Sequence, residues 1–191
     1  MIKQKTLDML DADLKREQKK YLNYDHKIRY ALFTRKSVRI DPNWSSQKFS
    51  DIDKHKLSWS KPYKYSEYPD FKTIIPTNDI GIYIMYVKPD NTILDMPSYV
   101  MNVGISGEKG KKRSLKDRLT DYFQINQVKL RTNIHHFLQM YYDYVYIRYA
   151  IYTGNHKDLE NIENLLHEFY NPLYNERDFE PKTKKARKAW N

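Results

Sequence analysis

Two charged residues fall where the helical pattern calls for either an apolar or a fully solvated side chain. One helix is predicted from Leu115 to about Ile125, and another over residues 159–170. At about 100° per residue, Arg118 and Glu163 lie at the edges of the apolar faces of these helices, whereas Glu168 is predicted to point away. A buried charge is costly unless it is paired or used. The two residues therefore form a salt bridge, reach solvent along the edge of the stripe, or belong to a site.

The chain is strongly basic and contains no cysteine. Lys and Arg number 34 against 24 Asp and Glu, which gives its 191 residues a formal charge of +10. That excess favours a polyanionic partner, nucleic acid before a membrane surface. The lack of cysteine excludes disulfide scaffolds, Cys-based zinc sites, thiolate nucleophiles and Fe–S clusters. Because no apolar run approaches the ~18 residues of a membrane span, we expect a cytoplasmic protein without a membrane partner.

The first 79 residues are predicted to form a helix followed by an extended arm. Apolar residues recur at spacings of three, four or seven over residues 2–33, with no Gly or Pro between them, which indicates a helix. Residues 34–79 hold four prolines and show no clear period. We expect this arm to lie on the surface with a short helix after Ser50, and Trp44 and Trp59 to be partly buried.

From residue 80 onward, the pattern alternates between strands and helices. It predicts, in order, the strand Ile80–Val87, a turn at residues 88–91, the strand Tyr99–Ile105, a helix from Leu115 that Ser114 can cap, the helix Leu130–Tyr142, the strand Asp143–Tyr152 and the helix Leu159–Tyr170. This order predicts an α+β sandwich in which helices pack on a small sheet.

Short motifs follow one another along these elements. A GIY tripeptide ends at Tyr83 on the first strand, and an NVG tripeptide begins at Asn102 on the second, 19 residues later. Arg118 and Glu163 follow on helices, and Asn175 closes an NPLYN segment. In motif order, spacing and secondary structure, the chain resembles the GIY-YIG nuclease family.

The resemblance covers about residues 80–176 and implies a small three-stranded antiparallel sheet flanked by helices. It also implies hydrolysis of a DNA phosphodiester with one Mg²⁺ ion, for which Mn²⁺ can substitute, and with Glu163 as the only protein ligand of the metal. Arg118 would stabilise the negative charge of the transition state. Tyr83 would be the general base if a cation or a proton relay assists its phenol, and Asn175 would orient the phosphate or the site.

Two positions depart from the family pattern. Asn102 stands where the YIG motif has tyrosine, so any acid–base role of that residue is lost, moved or reduced to hydrogen bonding. Tyr99, three residues earlier, has the wrong strand parity to replace it. Many members carry His four residues after the arginine, where this chain has Tyr122. Since it shares a helix face with Arg118, Tyr122 either takes part in the site or is a packing residue.

Basic side chains flank the motifs on both sides. Lys112, in the loop GEKGKKR, would be the cation beside Tyr83, unless this loop is simply solvated. A metal site at His135–His136 is not favoured, because adjacent helical residues point about 100° apart. Contacts to DNA phosphates are expected from basic residues of the loop, of the helix after it and of the tail: Lys109, Lys111, Arg113, Lys116, Lys184, Lys185, Arg187 and Lys188. The alternative for the tail is that it is disordered in the absence of DNA.

These expectations divide the chain into a helix and arm at residues 1–79, a nuclease core at 80–176 and a basic tail at 177–191. The length and the missing cysteines argue against excision-repair members, homing endonucleases with further modules, and zinc-dependent relatives. We therefore expect a compact endonuclease specific for a sequence in double-stranded DNA, most like a type II restriction enzyme, as a monomer or a homodimer. The first 79 residues would clamp the duplex or form the dimer contact. The alternatives are a phage or mobile-element nuclease of low specificity and a catalytically inert DNA-binding module on the same fold.

Overall fold

The computed structural model of the chain describes residues 4–22, 49–88, 99–107, 113–170 and 172. The strands are β1 (Tyr63–Lys64), β2 (Ile80–Val87), β3 (Tyr99–Ile105) and β4 (Val145–Tyr152). The helices are α1 (Gln4–Leu22), α2 (Phe71–Ile74), α3 (Leu115–Thr120), α4 (Ile125–Lys129), α5 (Thr132–Tyr141) and α6 (His156–Tyr170), and residues 49–53 are also helical. Tight 3₁₀ turns follow β1, α3 and α5.

The strands form one antiparallel sheet in the order β1-β4-β2-β3. Strand β2 lies at its centre and is buried along nearly its whole length, as its unbroken apolar sequence requires. The α+β class is confirmed, but the expected three-stranded sheet is wrong because the arm contributes a fourth strand, β1. Two residues that follow Pro62 are too short to show an alternating pattern, so the sequence does not predict this strand.

Strand β3 contains a β-bulge next to the NVG motif. Met85 pairs with Asn102 while the next residue, Tyr86, pairs with Val100, so Met101 is an extra residue in β3. An extra residue reverses which face later side chains occupy. Tyr99 therefore lies on the same face of the sheet as Asn102, and the prediction that its strand parity is wrong does not hold.

The first face of the sheet carries Tyr83 and is covered by α3, α4 and α5, with α1 outside them. Leu10 and Leu14 of α1 are buried in the same apolar core as these helices. The predicted helix over residues 2–33 is thus confirmed for Gln4–Leu22, and its remainder lies outside the described residues. The N-terminal extension shares its core with the elements that carry the motifs, and a contact of this extension with DNA or a second copy stays a prediction.

Asp13 on α1 fixes that helix to its neighbours by charge. Its carboxylate lies 3.1 Å from His135 Nε2 on α5 and 3.5 Å from Lys129 Nζ on α4. Burial raises the pKa of Asp13, but the hydrogen bond from His135 and the charges of Lys129, His135 and Arg16 lower it overall. His135 therefore has a structural partner in α1.

The second face of the sheet is covered by α6 together with the helical residues 49–53. Ile162 and Leu166 of α6 are buried there. Glu168, predicted to point away from the core, is 4% exposed, so that prediction is wrong. The apolar stripe of α6 is wider than the periodicity indicates, because the C-terminal turn of the helix also packs inward. In that turn, the buried His167 has its Nε2 3.5 Å from the carbonyl oxygen of Val103 on β3.

The helix boundaries follow local capping more closely than apolar periodicity. Ser114 caps α3 as predicted, because its Oγ accepts a hydrogen bond from the backbone N–H of Asp117. The helix then ends at Thr120, and the predicted continuation to Ile125 is a 3₁₀ turn over Asp121–Phe123 followed by α4. Trp59 is partly buried as predicted, and Trp44 lies outside the described residues. None of the helices that the structure describes is both long and apolar enough to cross a membrane.

Candidate active site

The side chain of Tyr83 extends toward the edge of the sheet and passes over a glycine of the neighbouring strand. It points to the first face from the central strand β2, and its backbone pairs with Gly104 on the edge strand β3. A Cβ atom at Gly104 would lie 2.3 Å from the Tyr83 hydroxyl oxygen and 2.6 Å from Cζ. The phenol ring therefore occupies the space that any side chain at position 104 would need, which explains the glycine of the NVG motif.

The hydroxyl group of Tyr83 is the centre of a hydrogen-bonded network. Its oxygen lies 2.6 Å from the hydroxyl oxygen of Tyr122 and accepts a hydrogen bond of 3.1 Å from Arg118 Nε. Asn102 Nδ2 donates a long hydrogen bond of 3.5 Å to the Tyr122 hydroxyl. The structure thus brings together four of the residues that the motifs single out, from two strands and from the segment following β3.

The two hydroxyl groups of the network share one proton position. Arg118 and Asn102 each donate to one of the two hydroxyl oxygens, and only one hydroxyl proton can lie between Tyr83 and Tyr122. The other hydroxyl proton needs a second acceptor, and both rings are buried, with 0% of Tyr83 and 1% of Tyr122 exposed.

The surroundings of Tyr83 keep its phenol protonated. Complete burial, and then the neighbouring Tyr122, raise the pKa of Tyr83 well above the ordinary value of 10.0, while the charges of Arg118 and Arg131 lower it in part. At neutral pH, Tyr83 is consequently a neutral hydrogen-bonding group. Arg118 provides a cation beside Tyr83, as the general-base expectation requires, whereas Lys112 lies outside the described residues.

The backbone of Tyr122 is held in place by a residue of the arm. Its carbonyl oxygen accepts a hydrogen bond of 2.6 Å from the hydroxyl of Tyr65, in the turn after β1. The Tyr65 ring also stacks on Phe123 with 4.7 Å between centroids. The sequence left open whether Tyr122 packs or takes part in the site, and its buried ring and its hydrogen bond to Tyr83 are compatible with both at once.

Arg131 and Asp121 complete the surroundings of Tyr122, and sequence reasoning missed both. The guanidinium carbon of Arg131 lies 4.9 Å from the centroid of the Tyr122 ring, and its Nη2 donates to the Asp121 carboxylate at 2.9 Å. Arg113 donates to the same carboxylate oxygen. Arg131 falls within the predicted helix Leu130–Tyr142, but the structure begins α5 at Thr132 and leaves Arg131 in the connection before it, so the helical pattern does not place Arg131 at the site.

Arg113 and Lys116, predicted to contact DNA, have partners within the protein. Arg113 forms the ion pair with Asp121 and keeps 37% of its side chain exposed. Lys116 Nζ donates to Thr77 Oγ1 at 3.3 Å. Both remain partly accessible, and a role in DNA binding stays a prediction.

Glu163 belongs to the helix on the second face of the sheet. It is half-buried on α6, which packs chiefly against β3, the strand that also carries Asn102 and Gly104. The hydrogen-bonded tyrosines lie on the first face of that strand. The predicted metal ligand and the predicted transition-state arginine thus approach the edge strand from opposite faces.

A metal cage is absent from the part of the chain that the structure describes. No three His, Asp or Glu side chains there are grouped so that they could hold a metal ion. A site with a single carboxylate ligand does not have this form, so Glu163 stays a prediction. The other predicted site residues lie outside the described residues: Lys109, Lys111, Lys112, Asn175, Lys184, Lys185, Arg187 and Lys188.

The chain matches no family model, and no curated protein and no solved structure matches it. The resemblance to GIY-YIG nucleases therefore depends on the residues of the motifs themselves.

Proposed function

We propose that the chain is a Mg²⁺-dependent endonuclease that hydrolyses phosphodiester bonds of double-stranded DNA, acting as a type II restriction enzyme. The observation that carries the proposal is the network joining Arg118, Tyr83 and Tyr122, with contacts of 3.1 and 2.6 Å. Arg118 and Tyr122 lie 35 and 39 positions after Tyr83 in the sequence, and all three side chains meet at one point. The formal charge of +10 suits a polyanionic substrate.

Arg118 is assigned to the negative charge of the scissile phosphate. The hydrogen bond from its Nε to Tyr83 fixes the orientation of the guanidinium, which is half-buried at the edge of α3. A guanidinium held in this way adds little reorganisation cost when charge develops on phosphate oxygens. Its planar fork of donors also matches the geometry of a phosphate group.

Tyr83 and Tyr122 are assigned to hold the guanidinium of Arg118 in its orientation. Because burial raises the pKa of Tyr83 well above 10.0, its phenolate form is disfavoured at neutral pH. We therefore assign the pair a hydrogen-bonding role and do not adopt the general-base role that the family resemblance implies for Tyr83. The 2.6 Å distance between the two oxygens also gives a short path along which a proton could move.

Glu163 is assigned to the metal. A half-buried carboxylate is held in place by its helix yet keeps access to solvent, and a single carboxylate suits Mg²⁺, which retains several water ligands. Mn²⁺ would substitute in the same donor set. When bound, the ion supplies neutralising charge at the phosphate and stabilises the leaving oxygen.

The first test is digestion of plasmid DNA with Mg²⁺. Discrete and reproducible fragments are expected of a restriction enzyme. A smear would instead support a nuclease of low specificity, and intact plasmid would contradict the nuclease assignment.

The second test uses paired variants. Glu163→Gln and Arg118→Ala should each abolish cleavage, because one removes the metal ligand and the other the phosphate cation, while DNA binding persists. Glu160→Gln is the matched control for the first, since Glu160 is exposed on the same helix and pairs with His156 at 3.3 Å. Cleavage retained by either of the first two variants would overturn the assignment.

A DNA-binding module without catalysis is the second candidate, and Asn102 is the observation that favours it. Asn102 cannot exchange a proton as the tyrosine of the YIG motif could, and it donates a hydrogen bond to Tyr122 instead. This candidate predicts tight, salt-dependent binding of duplex DNA, together with intact plasmid in the digestion.

A further inference from the structure

Tyr122 lies between its partner Tyr83 and a second arginine. The Tyr83 ring meets it edge-on, with 5.5 Å between centroids and 63° between planes. The guanidinium of Arg131 lies over the Tyr122 ring at 4.9 Å from its centroid, within the range of a cation–π contact. The Tyr122 ring therefore has neighbours that restrict its rotation.

An aspartate holds Arg131 in this position. Asp121, the residue directly before Tyr122, is 13% exposed at its side chain and accepts hydrogen bonds from Arg131 and Arg113. Two guanidinium groups share one carboxylate, so one positive charge beside Tyr122 is not neutralised within this group. Nη1 of Arg131 is buried and has no hydrogen-bond partner among the described residues.

Each tyrosine of the pair thus has a guanidinium group of its own. Arg118 lies over the Tyr83 ring at 6.0 Å and Arg131 over the Tyr122 ring at 4.9 Å. Keeping an arginine largely buried is costly when one carboxylate is shared by two cations. The charge of Arg131 also lowers the pKa of Tyr83, against the larger effects of burial and of Tyr122, which raise it.

We propose that Arg131 is a positioning residue of the candidate active site, which acts through Tyr122. Held by Asp121, its guanidinium fixes the Tyr122 ring so that the hydroxyl stays against Tyr83, and it supplies the second positive charge of the tyrosine pair. This inference rests on the proposed nuclease function. Asp121 is then the residue that sets the position of Arg131.

Cleavage kinetics of two Arg131 variants test this role. Arg131→Gln should lower kcat about 10- to 100-fold, as expected when a catalytic group is displaced by about 1 Å, with KM for DNA changed less than about threefold. Arg131→Lys, which keeps the charge, should recover part of the loss. Lys129→Gln removes an equal charge two residues away and is the control, because Lys129 is exposed and pairs with Asp13.

The outcomes separate a positioning role of Arg131 from a direct contact with DNA and from a general effect of its charge or of stability. A rise in KM with unchanged kcat would make Arg131 a DNA contact and would overturn the proposal. A loss in Arg131→Gln no larger than in Lys129→Gln, or no recovery with lysine at matched thermal stability, would also overturn it.

Asp121 provides an independent variant should Arg131→Gln fold poorly. Asp121→Asn should lower kcat as Arg131→Gln does, since it releases the guanidinium. In Asp121→Asn combined with Arg131→Lys, lysine should no longer give any recovery. Full recovery by lysine without Asp121 would show that the carboxylate does not set the position and would count against the proposal.

A measurement without DNA keeps this inference distinct from the proposed function. If the wild-type protein leaves plasmid intact, the nuclease proposal fails, and the contact between Arg131 and Tyr122 can still be tested by thermal unfolding. The shifts in Tm of Arg131→Gln and Tyr122→Leu should be non-additive, whereas those of Lys129→Gln and Tyr122→Leu should add. Additive shifts for the Arg131 pair would overturn the inference by themselves.

Discussion

Two tyrosine pairs lie on opposite faces of strand β2, and each has an arginine near it. On the first face, Tyr83 and Tyr122 join their hydroxyl groups at 2.6 Å. On the second face, Tyr86 and Tyr146 stack their rings with 5.8 Å between centroids and 26° between planes. The two pairs use the same residue types in different ways, the first through its hydroxyl groups and the second through its rings.

The arginines differ in the same manner. Arg118 Nε donates to the Tyr83 hydroxyl, so its orientation is tied to the phenol. Arg148 Nε donates instead to the carbonyl oxygen of Ser60 at 2.8 Å and thereby fastens the arm to the sheet. The comparison teaches that a buried tyrosine with a nearby arginine is a candidate for chemistry only where the hydroxyl group is the bonded atom.

The largest expected difference between the pairs is in cleavage. Tyr83→Phe removes the hydroxyl at the centre of the network and should lower the rate of plasmid cleavage about 100-fold or more, the range of acid–base and orienting groups. Tyr86→Phe should leave the rate within about threefold. Single-turnover cleavage with saturating enzyme measures both. Equal losses in the two variants would remove the distinction between the pairs.

The next effect concerns the glycine beneath Tyr83. Gly104→Ala places a Cβ 2.3 Å from the buried Tyr83 hydroxyl and should cost about 1–3 kcal/mol of unfolding free energy. Gly154→Ala is the control: its Cβ would meet the Tyr152 hydroxyl at 2.5 Å, but that side chain is only partly buried and can move. Urea unfolding of both variants gives the comparison. A smaller loss of unfolding free energy in Gly104→Ala than in Gly154→Ala would mean that the Tyr83 side chain can move away from position 104.

The arginine of the second face should affect stability more than cleavage. Arg148→Ala removes the hydrogen bond to Ser60 and should cost about 1.5 kcal/mol, because the donor is charged. Its cleavage rate per folded molecule should stay near that of the wild type, in contrast to Arg118→Ala. Urea unfolding together with single-turnover cleavage measures both quantities. A loss of cleavage in Arg148→Ala at unchanged stability would place Arg148 in the site.

The smallest effect is on stability at alkaline pH. The pKa of Tyr83 is raised mainly by burial, so the folded chain keeps a proton that the unfolded chain loses above the ordinary value of 10.0. This contribution to stability is complete below pH 10 and is lost as the pH rises toward the pKa of the folded state. The slope is less than about 1.4 kcal/mol per pH unit.

Urea unfolding between pH 9 and 11 should show this decline, and Tyr83→Phe should reduce its slope, while other buried tyrosines such as Tyr65 and Tyr149 keep their share of it. Tyr86, whose pKa is also raised by burial but is lowered in part by Arg148, should contribute less. A steeper contribution from Tyr86 than from Tyr83 would reverse the burial order that the comparison depends on.

The sequence predicts the regular parts of the sheet and the motif residues, and it misses what depends on tertiary contact. Ile80–Val87 and Tyr99–Ile105 are confirmed to the residue, because short runs rich in β-branched and aromatic residues and bounded by turn residues favour buried strands. The two-residue strand β1 has no pattern of its own and exists because β4 offers it an edge.

Within the candidate site, the sequence predicts the residues that belong to a motif or to the edge of a helix face. The helical periodicity predicts Arg118 at the edge of the apolar face, and the structure shows it half-buried there. The role of Arg131 could not be predicted, since a side chain that reaches Tyr122 from a connection between helices depends on the path of the chain. The bulge at Met101 likewise follows from pairing with β2, and it alone decides which face Tyr99 occupies.

The two outer strands of the sheet bear on the solubility of the protein. An exposed, regular strand is a template for pairing with another chain, and proteins avoid this with short, twisted or bulged edges. Here, in the part of the chain that the structure describes, one outer strand has only two residues and the other is interrupted by an extra residue at Met101. Met101 is also buried in the core on the first face, at 3% exposure, so its deletion would straighten that edge and also remove core packing. The resulting chain should therefore self-associate at lower concentrations than the natural one.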